Sequence, residues 1–239
     1  MPEYLSPGVY VEEVETGAKP IAGVSTSTAG FLGETERGAL SPRLITSFAE
    51  FKRVYGGFVE NRYLAYGVDG FFRNGGQRCY VGRVVPSAWV GTDTATASAT
   101  LADDSSTDCL DLSAVGPGPW GNGLVVKVED ATAAGTDSFR LTIGYWAGVD
   151  DPTTLFEDSE GNQKAYDTIA DPDEGGRPPD VEEVYDDLSP EEASSNFYGK
   201  QVGSVSVLVD AEQLAPGRPA DGTTALEGSP TDATVATND

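Results

Sequence analysis

The stretch Ser47–Val85, SFAEFKRVYGGFVENRYLAYGVDGFFRNGGQRCYVGRVV, decides the fold class of this chain of 239 residues. Ser47 and Glu50 match the S-x-x-E pattern of a capping box, which predicts a helix that begins after Ser47. The following Gly56-Gly57 predicts where that helix ends. Its apolar positions share one face: Phe48, Phe51 and Val54.

A second helix and two strands complete this region. Apolar residues spaced from Tyr63 to Phe72 predict a helix that Asn74-Gly75-Gly76 terminates. The β-prone run Cys79–Val85 follows it, and the upstream run Thr26–Gly33 predicts a buried strand. Strand, helix, helix and strand in this order imply part of an α/β layer.

The remainder of the chain is predicted to be rich in β-structure. Small and polar residues from 88 to 107 indicate a linker, after which Gly123–Glu129 and Phe139–Tyr145 alternate like antiparallel neighbours. Acidic loops rich in Pro and Gly fill 148–180. Ser189-Pro190-Glu191-Glu192 predicts the start of a helix that extends to about Lys200. A last strand is expected at Val205–Val209.

The predicted fold is a multidomain α/β (α+β) protein with four segments. Residues 1–20 form an extended arm, because three prolines oppose a helix and the segment has too little apolar surface to fold alone. Residues 21–88 are the first part of an α/β core domain. Residues 89–214 are an inserted, acidic, β-rich domain of barrel or sandwich type. Residues 215–239 are a polar tail or linker towards a further C-terminal half.

The charge is strongly negative and unevenly distributed. The chain has 15 basic and 39 acidic residues, a net charge of −24. Residues 1–90 contain nine of each sign, so the whole excess lies beyond them. Such a surface repels phosphate backbones, which excludes nucleic acid as a partner. The acids are interspersed with apolar strands, which favours a folded protein of a halophilic organism over a disordered one.

The composition also argues against an enzyme. The chain has no histidine and only two cysteines, Cys79 and Cys109. It therefore lacks the commonest general base, a zinc-ligand pattern and a disulfide framework. We predict no catalytic, cofactor-binding or metal-binding residues. The sequence has neither a long apolar run nor a signal-peptide pattern at its start, so we predict no membrane insertion.

Several motifs have simpler interpretations than the sites they imitate. Gly116–Gly121 matches GxGxxG, but its two prolines and the strand after it exclude a dinucleotide loop, so it predicts a turn. Asp171–Gly176 partly imitates a calcium loop and is interpreted as a solvated acidic loop. Trp120 and Trp146 are predicted to be core residues, and Cys79 a buried packing residue.

Taken in order, several segments resemble the opening of phage-type contractile tail-sheath proteins. The segments are LSPGVYVEEV (Leu5–Val14), TSTAGFLG (Thr26–Gly33), ITSFAEF (Ile45–Phe51) leading to Tyr55-Gly-Gly57, FFRNGGQRCYVG (Phe71–Gly82), PWGNGL (Pro119–Leu124) and the passage Val181–Val209. The resemblance covers most of residues 4–210. Its specificity lies in the ordered combination rather than in any single segment.

The resemblance implies a structural subunit that assembles helically around an inner tube and contracts to drive the tube through a target envelope. The implied partners are other copies of this chain, the inner tail tube protein, and baseplate and tail terminator proteins. The implied location is a virion tail assembled in the host cytoplasm, or a cytoplasmic contractile injection particle. The acidic composition indicates that the virus or injection system is halophilic and haloarchaeal. The arm residues expected to contact a neighbouring copy are Tyr4, Leu5, Val9, Tyr10, Val11 and Val14.

Two other functions remain open at this stage. A β-rich spike or adhesin would bind its ligand through the acidic loops 148–180. A carboxylate-held metal enzyme would bind divalent cations at a defined site. Both explain the β-rich domain, and neither explains the arm.

Overall fold

A computed structural model describes residues 28–91, 95–133, 137–149, 159–162 and 164–228. Within these ranges, residues 28–91 form an α/β unit and residues 95–228 a β-rich unit. The predicted mixed α/β class, with helices and several sheets, is confirmed. No helix in the described ranges is long and apolar enough to span a membrane.

The α/β unit is a three-stranded sheet with two helices. Its elements are β1 (Thr28–Gly33), β2 (Arg43–Ile45), α1 (Phe48–Tyr55), α2 (Leu64–Arg73) and β3 (Arg78–Arg83). The strand order is β1-β3-β2, with β1 parallel and β2 antiparallel to β3. Both predicted helices are confirmed, and they supply the crossover between the parallel strands. The inner face is buried, with Ile45, Phe51, Val54, Tyr55, Val68, Cys79 and Val81 in the core.

The predicted cap of α1 forms with one change. The Glu50 amide donates to Ser47 Oγ at 3.1 Å, as a capping box requires. The Glu50 carboxylate, however, accepts from the Thr46 amide at 2.8 Å rather than from that of Ser47. Ser47 therefore accepts from an amide in the first turn of the helix, and Glu50 accepts from the amide of the residue before Ser47.

The β-rich unit contains two sheets that face each other across one core. Its elements are β4 (Ser98–Ala102), β5 (Asp108–Ala114), β6 (Leu124–Asp130), β7 (Phe139–Tyr145), α3 (Tyr166–Ala170), β8 (Val181–Leu188), α4 (Tyr198–Gln201), β9 (Val209–Gln213) and β10 (Gly222–Ala225). The sheets have the orders β10-β6-β7-β8 and β4-β5-β9. Residues Ser98 and Glu227 exchange backbone hydrogen bonds of 2.8 and 3.1 Å, which join the two sheets at one side.

The sequence correctly predicted the centre of this unit. β6 and β7 pair antiparallel over seven residues, with Leu124 opposite Tyr145 and Asp130 opposite Phe139. Inward side chains from both strands fill the core, among them Val126, Val128, Phe139, Leu141 and Ile143. The alternation that predicted the strands separates their two faces, and the opposite face is also partly covered, since Val125 packs in a second buried cluster with Trp146 and Tyr166.

The helix predicted from Ser189 to Lys200 is wrong. Ser189 instead donates to the Asn196 carbonyl at 2.8 Å and accepts from the Tyr198 amide at 3.2 Å. These bonds close a loop, and only the short helix α4 follows it. Folding the loop back places the Tyr198 ring, which has no exposed surface, in the core. Burial of this ring therefore outweighs the local capping signal.

Four other segments differ from their predicted forms. The last strand predicted at Val205–Val209 forms at Val209–Gln213, where it pairs with β5. The predicted linker contains β4, because Ala97, Ala99 and Leu101 point alternately inwards. The predicted tail contains β10, which pairs with β6. The predicted buried strand β1 has one exposed face.

Candidate assembly interface

One face of the α/β sheet is not covered by the described residues. Side chains of β1 alternate, so that Ala29 and Phe31 face the helices while Leu32 faces outwards. The Phe31 ring meets Phe71 of α2 edge-on at 5.6 Å. On the opposite face, 79% of Leu32 is exposed.

The register of the sheet gathers three large apolar side chains on that face. Tyr80 of β3 lies opposite Gly30 on one side and Leu44 on the other. Tyr80 is 51% and Leu44 40% exposed. We call the surface formed by Leu32, Leu44 and Tyr80 the outer sheet face.

Gly30 and Arg78 contribute to the shape and charge of the outer sheet face. A Cβ built at Gly30 would meet no atom within 4 Å, so the surface beside Tyr80 is flat and open. Arg78 has the same strand parity as Tyr80, and its Nε donates to Thr28 Oγ1 at 2.7 Å at one end of this face. Tyr and Arg around an apolar centre are typical of protein interfaces.

All-parallel sheets are normally covered on both faces, and the β1–β3 pair of this mixed sheet is parallel. Here α1 and α2 cover one face only, and the second face retains its apolar side chains. An exposed apolar surface of this kind marks an interaction site. We therefore identify the outer sheet face as the candidate assembly interface.

A second exposed apolar surface lies at the loop between α1 and α2. Phe58, Tyr63 and Tyr66 are 48%, 79% and 57% exposed. The Phe58 and Tyr66 rings lie 4.5 Å apart, and Phe48 adds a further ring 5.4 Å from Phe58. This cluster forms a separate apolar surface on the helical side of the α/β unit.

The arm residues Tyr4, Leu5, Val9, Tyr10, Val11 and Val14 lie outside the described residues. Their role in assembly stays a prediction. Among the described residues, no strand pairs with the outer edge of β1 or of β2. Free strand edges of this kind can accept an added strand.

The sequence missed the outer sheet face because its strands were predicted to be buried. The available signal was the alternation in β3, where Arg78 and Tyr80 alternate with Cys79 and Val81. Such a period of two indicates a strand with one polar or partly exposed face. In β1, small residues at Ala29 and Gly30 conceal the same pattern.

Residues predicted to be structural occupy core positions. Cys79 and Trp146 have no exposed surface and Trp120 is 6% exposed, which confirms these three predictions. Burial raises the pKa of the Cys79 thiol. Gly116–Gly121 leads through a short 3-10 turn into β6, as predicted. The described residues contain no group of three or more His, Cys, Asp or Glu side chains that could hold a metal ion.

Comparison with known proteins gives structural neighbours only. No family model matches the chain, and no curated protein matches it. Solved structures to which it is similar include a sheath tail protein from Listeria innocua, with 15% identity and a TM-score of 0.42 over 85% of this chain and 34% of that one. A sheath tail protein from Desulfitobacterium hafniense has 9% identity and a TM-score of 0.38 over 93% of this chain and 39% of that one. The chain thus spans little more than a third of the length of these proteins.

Proposed function

We propose that this chain is a structural subunit of a contractile tail sheath. The main support is the outer sheet face of the folded α/β unit. This apolar surface needs a protein partner to cover it. The sheath-like segments Ile45–Phe51 and Phe71–Gly82 both belong to this unit. The proposed function is therefore helical self-assembly around an inner tube, followed by contraction.

Burial of the outer sheet face would supply part of the assembly energy. Removing an exposed Leu or Tyr side chain from water contributes about 1.5–3 kcal/mol when burial is complete. The arm of a neighbouring copy, residues 1–20, would add main-chain hydrogen bonds by joining a free strand edge. If the folded subunits can pack against each other in two alternative ways that differ in free energy, the difference can drive contraction without a nucleotide.

The wider setting follows from the same proposal. The proposed partners are further copies of the chain, an inner tail tube protein, and baseplate and tail terminator proteins. The proposed location is the tail of a virion or a cell-encoded injection particle. The net charge of −24 favours a function at high salt concentration, where ions screen the electrostatic repulsion between copies.

The first experiment is negative-stain electron microscopy of the purified chain in multimolar KCl. Wild type is compared with Leu32→Glu and Tyr80→Glu, each of which places a charge on the outer sheet face. Leu214→Glu is the matched control, because Leu214 is also large, apolar and 51% exposed but lies in the β-rich unit. Circular dichroism checks that every variant is folded.

We expect striated tubes from wild type and Leu214→Glu, and discrete particles from the two outer-face variants. Deletion of residues 1–20 is expected to abolish the tubes as well. Tubes from the outer-face variants would show that this face is not the interface. Discrete particles from every sample, with binding to a cell surface, would favour a spike or adhesin instead.

A further inference from the structure

The α/β unit and the β-rich unit pack against each other, and their buried apolar residues belong to one continuous core cluster. Clefts with volumes of about 530, 450 and 460 Å³ flank this contact. Each cleft is lined on one side by the α/β unit and on the other by the β-rich unit. Polar side chains between these clefts therefore add directional contacts to the apolar packing that holds the two units together.

Glu36, in the loop after β1, connects the two units directly. Its Oε1 accepts a hydrogen bond of 2.7 Å from the hydroxyl of Tyr145, the last residue of β7. Its Oε2 accepts from the Gly57 amide at 2.9 Å. Burial and the neighbouring Glu36 carboxylate raise the pKa of Tyr145, so the hydroxyl keeps its proton and remains a donor.

Arg37 holds this contact against the end of α1. Its guanidinium lies 4.8 Å from the centre of the Tyr145 ring. Nη1 pairs with Glu36 Oε1 at 3.2 Å. Nη2 donates to the carbonyls of Lys52 and Arg53 at 2.9 and 3.0 Å. A cation beside the carbonyls of the last turn of a helix is favourable.

Arg83, the last residue of β3, makes the second connection. Nη1 donates to the Gly38 carbonyl at 2.8 Å and to the Pro117 carbonyl, in the β-rich unit, at 2.7 Å. Only 7% of Arg83 is exposed. Burial lowers its pKa to about 10, with a smaller effect from Arg62, so the side chain stays charged at neutral pH.

We infer that Glu36, Arg37, Arg83 and Tyr145 form a joint clasp that locks the two units into one rigid body. The clasp is polar and half-enclosed, and its loss leaves buried charges without partners, which is costly. The apolar core shared by the units is non-directional, whereas the clasp supplies hydrogen bonds and an ion pair of fixed geometry, so the clasp restricts the relative orientation of the units. A consequence for a sheath rests on the proposed function. Rearrangement would then occur between copies of the chain rather than within a single copy.

The test measures the orientation of the two units in the dissolved chain. Spin labels are attached at Gln77→Cys in the α/β unit and Asp104→Cys in the β-rich unit, both exposed positions. Native Cys79 and Cys109 have no exposed surface and therefore do not compete for the label. Pulsed electron paramagnetic resonance gives the distribution of distances between the labels.

Tyr145→Phe and Glu36→Gln each weaken the clasp with little change of shape. Tyr166→Phe is the matched control, since it removes a hydrogen bond of the same length, 2.7 Å, to Glu182 within the β-rich unit. We expect one narrow distribution for wild type and Tyr166→Phe, and a broader one for both clasp variants. We also expect a roughly tenfold faster hydrogen exchange of the Gly57 amide in Glu36→Gln, which removes the charge of that amide's acceptor, as loss of a bond to a charged group allows.

Narrow distributions in both clasp variants would overturn the inference, as would equal broadening in Tyr166→Phe. Glu36→Gln retains an oxygen acceptor, so a folded variant is available if Tyr145→Phe is unstable. The measurement uses unassembled chain in solution. Its outcome therefore does not depend on whether the chain forms a sheath.

Discussion

Gly56, at the end of α1, shows how one residue links helix termination to the contact between units. Its φ is +89°, a backbone conformation that L side chains rarely adopt. A Cβ built there would lie 2.4 Å from Glu36 Oε2. The glycine that ends the helix thus also makes room for the Glu36 carboxylate in the joint clasp.

Gly56→Ala is therefore expected to lower the free energy of unfolding by more than backbone strain alone would, because the added Cβ also collides with Glu36. Gly75→Ala is the matched control, because Gly75 has a φ of +91° but open space around its Cβ position. We expect about 1 kcal/mol for Gly75→Ala from backbone strain, and a clearly larger loss for Gly56→Ala. Urea denaturation measures both, and equal losses would show that Glu36 moves aside at no cost.

At the scale of an element, β10 closes the β-rich unit from far along the chain. It pairs with β6, with Thr223 opposite Lys127. Leu226, directly after it, has no exposed surface and donates its amide to the Leu124 carbonyl at 3.0 Å. A short strand with few apolar residues thereby contributes to the core through one side chain.

Leu226→Ala is expected to cost about 2–5 kcal/mol of unfolding free energy, because it leaves a cavity in the core. Leu214→Ala, at a half-exposed position, is the control and should change stability by less than about 0.5 kcal/mol. Thermal and urea unfolding measure both. A small effect of Leu226→Ala would mean that the sandwich closes without β10.

At the scale of the whole molecule, the two units differ in net charge. The described residues 28–91 contain eight basic and five acidic residues, whereas residues 91–239 contain six basic and thirty acidic residues. Ion pairs such as Lys127 with Glu129 and Arg218 with Asp130 neutralise only a small part of this excess. Mutual repulsion of acids should therefore oppose folding of the β-rich unit in dilute buffer.

The free energy of unfolding is accordingly expected to rise with KCl concentration. The Debye length falls from about 10 Å at 0.1 M to about 3 Å at 1 M salt, so added KCl screens the acidic surface. Urea unfolding at several KCl concentrations measures the effect. Sucrose at matched osmolality is the control, since it stabilises by exclusion without screening. A stability that is independent of KCl would contradict the high-salt interpretation.

Local signals in the sequence determined α1, α2 and the β6–β7 pair. A capping residue, terminal glycines and strict periodicities of 3.6 or 2 are properties of neighbouring residues, and they identify elements without knowledge of the rest. The ordered resemblance to sheath proteins added the hypothesis of assembly. The same kind of signal failed after Ser189, because burial of Tyr198 outweighs a cap.

Only the tertiary structure decided how these elements combine. The Glu36–Tyr145 bond joins residues 109 positions apart, and the pairing of β10 with β6 is similarly distant. No local pattern encodes such contacts, since they depend on the shape of the folded units. The exposure of Leu32, Leu44 and Tyr80 was decided in the same way: their types favour burial, but two helices cover only one face of a sheet. The sequence thus determined most of the central helices and strands, whereas packing decided which apolar surface remained exposed.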